Sequence, residues 1–428
     1  MYVSIGIPTY TEIKNLTFAP EVDIAGTSVP INEFTVDIIT DDDIPLGIAA
    51  LLYDDLDNLW AQYTVVYAER VDRQTVRVRA RSDVAVLDTV TLPATMYETT
   101  AAGVMGDIFG SVSASYSLHS SFSSAAVKGF CPQQTARERL AWLCLVLGAY
   151  VKSCFNTTIQ ILPVPGSGPL IPLNRTYWRP SVTYLDYVTS FAVTAYAFEE
   201  AEPETTDEWV ETDGGVVYVV TRSGAATMPA PGTVPEGAIG RAMQVEDVML
   251  VNADNLSTVL THLSTYYFNR LEVDADVIDN AEFVPGQKVT VYADENTLVT
   301  GYIQRAEFAF GLQARARLHI VGVESVPSAT LVIQYVYDGD VLDSATYTLP
   351  VGYGYSFDNP YLDITKKKVR RVYRPLTAAA TGTVQSGTNT VTVEYAVALE
   401  LEDGILTIIS VDDIELDVDG EDYVGVIS

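Results

Sequence analysis

One stretch of twelve residues occurs twice, far apart, with the same charge pattern, and it limits the fold more than any other feature. The first copy is Ala68-Glu69-Arg70-Val71-Asp72-Arg73-Gln74-Thr75-Val76-Arg77-Val78-Arg79. The second is Ala306-Glu307-Phe308-Ala309-Phe310-Gly311-Leu312-Gln313-Ala314-Arg315-Ala316-Arg317. Ala68 matches Ala306, Glu69 matches Glu307, Arg77 matches Arg315 and Arg79 matches Arg317, all at one constant offset. Each copy ends in a strand whose arginines alternate with small apolar residues, which sends Arg to one face and Val or Ala to the other. Short amphipathic hairpins also resemble one another by chance. The strand patterns around both copies favour duplication instead, and so two similar β-modules in one chain.

Composition supports a folded, strand-rich chain. At 428 residues it is too long for a single core, so several domains are expected. Hydrophobic residues make up 48% against 19% charged, and the 26 tyrosines, with frequent Val and Thr, favour strands. The net charge of −31 repels nucleic acid unless basic residues are segregated, and none follows Arg374. Such a surface is soluble, and it also does not stick to a polyanion. The cysteines Cys131, Cys144 and Cys154 show no metal-site spacing and fit a reducing compartment. No signal peptide is read at Met1–Ile5, and the apolar run from Leu140 to Val151 is too short to span a bilayer.

The expected organisation is mainly β with a small α+β insert. Residues 1–97 form the first β-module and 98–265 the insert, with helices near 135–152 and 255–268. Residues 266–327 form the second module, 328–396 a β-sandwich-like domain, and 397–428 an acidic β segment. Thr135 and Glu138 have capping-box spacing, ahead of a stripe of Leu140, Leu143, Cys144, Leu147 and Val151. Asp254 is the expected N-cap of the second helix, whose stripe is Leu256, Val259, Leu260, Leu263 and Tyr267. His262 lies off that stripe, which predicts an exposed or interfacial side chain. Val326-Pro327-Ser328 reads as a hinge.

Catalytic signatures are missing. There is no phosphate-binding loop, dinucleotide fingerprint, nucleophile elbow or zinc-protease motif. His119, His262 and His319 have no local Cys or Asp partner in a motif, so no catalytic, cofactor-binding or metal-ligating residues are assigned. Glu415-x-Asp417-x-Asp419-Gly420 resembles the start of a calcium loop, but Val426 stands where the bidentate Glu belongs, which leaves an acidic turn.

Three stretches resemble the baseplate or tail-tip hub proteins of phage tails and related contractile injection particles, the late control protein-like hubs. They are Val22-Asp23-Ile24-Ala25-Gly26 with Ile31 to Val36, Thr135 to Leu140 leading to Leu147-Gly148-Ala149, and Val284 to Val289 with Gly301-Tyr302-Ile303. The resemblance implies two hub β-barrels per chain and a homotrimer whose six barrels make a pseudo-sixfold ring. It further implies contacts with tail tube, distal tail or baseplate proteins and a tip spike or tape-measure protein. DNA would pass through an acidic lumen without specific binding. It implies a virion-tail location, after assembly in the host bacterial cytoplasm; no enzymatic activity or cofactor is expected, because no nucleophile, metal or acid–base constellation is found. Residues 329 to about 396 are similar to the mucin-binding-protein repeat, through Val332-Ile333-Gln334-Tyr335, Asp338-Gly339, Gly352 to Tyr355 and Val391 to Tyr395. A plain immunoglobulin-like sandwich gives much the same pattern.

Two sets of residues are candidates for contacts. Arg77, Arg79 and Arg81 share one strand face, as do Arg315 and Arg317. In an acidic protein such rows fit a subunit or barrel-to-barrel contact facing carboxylates; a solvated outer face is the bland alternative. Lys366, Lys367, Lys368, Arg370 and Arg371 form a dense basic run that fits a docking patch or a solvated strand end. The expected function is therefore a structural, trimeric tail hub. The alternative is a secreted or surface adhesin with mucin- or carbohydrate-binding β domains, and a third reading, a hydrolase, rests on abundant carboxylates alone.

Overall fold

Alternating apolar and polar residues make strands of most of this chain. In the computed structural model the described residues are 1–171, 175–204, 207–229, 240–278, 282–292, 298–309, 315–325, 328–350, 354–366, 369–385, 387–402, 405–408 and 425–427. Val326 and Pro327 of the expected hinge, Lys367, Lys368 and the acidic turn from Glu415 to Gly420 lie outside them. The fold is mainly β with a small helical part, in two units, Met1–Ser325 and Val326–Ser428.

The first unit contains ten strands that matter here, with three helices between them. They are β1 (Ile13–Phe18), β2 (Glu33–Ile39), β3 (Ala49–Tyr53), β4 (Leu59–Arg70) and β5 (Thr75–Arg81), then α1 (Ala101–Gly110) and α2 (Ala136–Leu147). β6 (Ser181–Tyr184), α3 (Leu256–Tyr267), β7 (Leu271–Ile278), β8 (Lys288–Tyr292), β9 (Leu298–Ala309) and β10 (Arg315–Ser325) follow. The first five strands lie side by side in the order β1-β2-β5-β4-β3, and the second five in the order β6-β7-β10-β9-β8. Strand for strand these are the same antiparallel arrangement. A bulge recurs as well: register shifts between Val65 and Tyr67 on β4, and between Ile303 and Arg305 on β9.

The duplication is thus larger than the twelve-residue match, and it corrects that match in one detail. Glu69 faces Arg77 across the first hairpin, but Glu307 faces Arg317 across the second. The second connection is two residues longer, so Arg77 corresponds in space to Arg317, and Arg79 to His319. Because the arginines alternate, a slip of two residues preserves the charge pattern and hides the insertion.

The two modules join edge to edge. Phe18 of β1 stands opposite Phe308 of β9. Beyond it, the Ala306 amide donates to the Pro20 carbonyl at 3.1 Å and the Val22 amide to the Gln304 carbonyl at 2.8 Å. Aromatic rings fill the seam: Phe18 stacks on Phe308 at 6.0 Å, and Trp60 meets Phe308 edge-on at 4.7 Å. One apolar core serves both modules, with Phe34, Val36, Ile38, Val76, Val78 and Ala80 from the first and Val273, Ala275, Leu318 and Ile320 from the second.

The helices share a separate core with strands of the insert. The capping box of α2 is formed, with Thr135 and Glu138 each bonded to the other's backbone amide. Gly148, at φ +64°, closes the helix by donating to the Cys144 and Leu145 carbonyls, a left-handed conformation that favours glycine. The helix is therefore shorter than the apolar stripe, and Val151 sits on the strand Ala149–Lys152. For α3 the N-cap is Asn255, not Asp254, and no side chain caps the helix. Asn252 accepts from the Asp254 and Asn255 amides instead. α1 had no counterpart in the sequence reading.

The described residues of the second unit form strands and the turns between them. β11 (Ser328–Tyr337) pairs with β12 (Asp340–Pro350) as a hairpin, and β13 (Leu362–Lys366) pairs with β14 (Val369–Pro375). The long β15 (Thr388–Glu402) runs parallel to β11 through its first half and antiparallel to β14 through its second. Leu331, Ile333, Tyr335, Tyr373, Val393 and Tyr395 form its core. The expected boundaries after 97, 265 and 396 fall inside the strand Thr95–Thr100, α3 and β15 respectively. Continuous elements carry the chain across those points.

Candidate assembly surfaces

The arginine rows are matched by carboxylates of the same chain. Arg77 clasps Asp37 of the adjacent β2 through Nε at 2.7 Å and Nη2 at 3.0 Å. The Asp37 side chain is only 5% exposed and also accepts from Asn15 at 2.8 Å. The Arg77 guanidinium, joined by Asn15, outweighs burial and holds the Asp37 carboxyl below its usual range. Arg81 reaches Glu33 at 3.1 Å, and Arg79 lies over the Tyr67 ring at 5.5 Å. In the second module Arg315 bonds Asp276 at 2.7 Å and Arg317 bonds Asp274 at 2.6 Å, both carboxylates on β7. So β2 supplies the acids for β5, and β7 supplies them for β10, as the repeat requires. Each of these guanidiniums except that of Arg79 remains about half exposed, Arg77 at 45%.

The same sheet face gathers His319, Asp274 and Glu272. His319 Nδ1 is 2.6 Å from Asp274 Oδ1, and the three side chains place ligand atoms within 4.8 Å of one another. That donor set could hold a cation, but Arg317 already neutralises Asp274, and Arg305 pairs with the nearby Glu307 at 2.8 Å. We read the group as a cross-strand ionic network. Sequence inspection missed it because its members are brought together only by the pairing of β7 with β10.

The prediction for His262 is overturned. It is buried, and its Nε2 lies 2.8 Å from the Ala25 carbonyl, to which it donates. Burial holds its pKa below the ordinary value, so the ring is a neutral donor that ties α3 to the 22–26 loop. The stripe of α3 is wider than drawn and includes it. A groove of about 580 Å³ beside this histidine is lined by Leu147, Thr258, Lys288 and Tyr302, among others. Lys288 Nζ donates to the Gly166 carbonyl at 3.1 Å.

A buried cation elsewhere also escaped the sequence reading. Arg139 of α2 is 1% exposed. Its guanidinium donates to the carbonyls of Pro93 at 2.7 Å and Pro132 at 3.0 Å and to the Tyr97 hydroxyl at 3.1 Å. It therefore pins the insert helix to two loops.

In the second unit the basic run is partly answered. Arg370 forks onto Asp363 at 3.0 and 2.5 Å, and Arg371 reaches Glu400 at 2.5 Å. Glu400 meets the run within one chain, because β15 runs alongside β14. Lys366 is exposed.

No family model matches this chain, and no curated protein does. Solved structures do. It is similar to the tail protein from Neisseria meningitidis MC58, with a TM-score of 0.53 at 10% identity, over 75% of this chain and 95% of that one. It is similar to the 43 kDa tail protein of prophage MuSo2 from Shewanella oneidensis, with a TM-score of 0.51 at 11% identity, over 75% and 97%. It is also similar to prophage tail protein gp18 from Listeria monocytogenes EGD-e, with a TM-score of 0.50 at 12% identity, over 75% and 94%. At these identities the likeness is one of fold.

Proposed function

We propose that this chain, which has the fold of phage tail proteins, is a structural, non-enzymatic hub of a tail tip or baseplate. Three copies form a ring in which two similar modules per chain give pseudo-sixfold symmetry, joining tail tube to tip. The observation that carries this reading is the five-strand repeat, β1–β5 and β6–β10, seamed edge to edge within one chain. A duplicated module has a use where a sixfold partner must meet a threefold one. The charge of −31 suits a lumen through which DNA slides without adhering. The half-exposed arginine rows on β5 and β10 serve contacts between modules or with neighbouring tail proteins. The second unit is an appended β domain, and Lys366 with Arg370 and Arg371 is its docking patch.

Mass in solution tests this directly. Light scattering on the purified chain should give three times the monomer mass, and the trimer should co-sediment with tail tube protein. A monomer that ignores tube protein would refute the hub reading. Clearing of a peptidoglycan zymogram by the purified chain would refute the absence of enzymatic activity.

A further inference from the structure

The repeat also shows which edges of the first unit lack a partner. Inside the chain the end of β1 at Phe18 and the residues after it, up to Val22, lie against the far half of β9, from Gln304 to Phe308. In the repeat, β6 takes the place of β1 and β4 takes the place of β9. Phe18 faces Phe34 on β2, and Val182 faces Val273 on β7, so Val182 stands where Phe18 does. The shared bulge aligns Gln304 with Val66, and hence Phe308 with Arg70.

Among the described residues the equivalent joint is missing. There β6 is the end strand of its sheet and pairs with β7 alone. β3 flanks β4 only as far as Thr64, and the last backbone bonds on that side are at Val65, whose amide donates to the Ile48 carbonyl and whose carbonyl accepts from the Gly47 amide. From Val66 to Arg70, no strand among the described residues lies on that side. Arg70 turns its guanidinium onto the carbonyls of Thr40, Asp41 and Asp42, away from the strand's open backbone. Exposed apolar side chains mark both places: Val66 and Tyr67 on β4, and Val182, Tyr184 at 80% exposure and Leu185 on or just after β6. An open edge lined with such residues is a template for another strand.

We propose that β6 of one copy adds antiparallel to the Val66–Arg70 edge of β4 in the next copy, in the register that β1 uses against β9. This rests on the ring reading and names its contact. Val182 then faces Arg70, Thr183 faces Glu69 and Tyr184 faces Ala68. The Ala68 amide donates to the Tyr184 carbonyl, as Ala306 does to Pro20. The contact is head-to-tail, with two different edges, so it extends from copy to copy until the ring closes.

A cysteine pair tests the register. Glu69 and Thr183 are both exposed, and the three native cysteines are buried. The E69C/T183C variant should give covalent dimers and trimers on oxidation, because facing residues of an antiparallel pair lie within disulfide range. Each single variant should stop at dimers or form none. The reduced double variant should keep the parental mass and melting temperature, which separates failure to fold from failure to pair. A trimer by mass with no cross-link would overturn the edge pairing and leave the ring standing. A monomer with no cross-link would overturn both. A fast-migrating, internally cross-linked monomer would also overturn it, since it would place the two edges together in one chain.

Discussion

Arg139 offers the sharpest test of how the insert is held. Replacing it with methionine keeps an unbranched apolar stem and removes the guanidinium. The carbonyls of Pro93 and Pro132 and the hydroxyl of Tyr97 then lose their donor. Leaving a buried polar group unbonded costs about 1–3 kcal/mol. Relief from burying a cation that has no carboxylate among these contacts offsets part of that sum. A net loss of about 3 kcal/mol is expected. Unfolding of a unit as long as Met1–Ser325 has a melting entropy of about 0.7 kcal/mol per kelvin, so the melting temperature should fall by about 4–5 °C. Differential scanning calorimetry on parent, Arg139→Met and Arg139→Lys would measure it. The lysine variant should fall between, since a single ammonium cannot span both carbonyls with the same geometry. An Arg139→Met protein as stable as the parent would show that desolvation cancels the three bonds, and the pinning argument would fail.

Three further outcomes follow from the same geometry. Asp37→Asn should cost about 1 kcal/mol near neutral pH, a modest figure because the Arg77 guanidinium is half exposed. Since the folded Asp37 pKa is depressed, its contribution is complete above the ordinary carboxylate value and disappears as pH falls through the folded value; the gap between parent and variant in urea melts should close as pH falls below the ordinary carboxylate range. Phe308→Ala should cost about 3–5 kcal/mol by opening a cavity in the seam, read as a lower denaturant midpoint, and a change under 1 kcal/mol would mean the rings do not hold the modules together. Deleting Val326–Ser428 should leave a trimer that still joins the tail tube, by light scattering and co-sedimentation; a truncated chain that cannot trimerise would make that unit part of the hub core.

The parts legible in the sequence were those encoded locally. The hairpins show as alternation, and α2 shows as a capping box followed by an apolar stripe. α1 was missed because Gly103, Gly106 and Gly110 lower its intrinsic helix preference, while burial of Val104, Met105 and Ile108 sustains it. β6 was missed as a partner of β7, because four exposed residues at a sheet edge carry no pattern. The extent of the repeat was hidden for a different reason. β1 and β6 are equivalent by pairing alone, as Phe18 against Val182 illustrates. The acids that answer the arginines lie on neighbouring strands distant in sequence, so register had to be known before the ion pairs could be seen.

One strand of the second unit governs when that unit can exist. β15 is shared by three ladders, and its first half pairs with β11, the strand that opens the unit. On a ribosome β11 emerges early and must wait, with one side unpaired, until residues 388–394 have been made. The hairpin partner β12 protects only its other side. Closure of this unit is therefore a late, long-range event, slow compared with the hairpins around it. The interval before closure is when β11, rich in Leu, Val, Ile and Tyr, is open to pairing with the wrong chain.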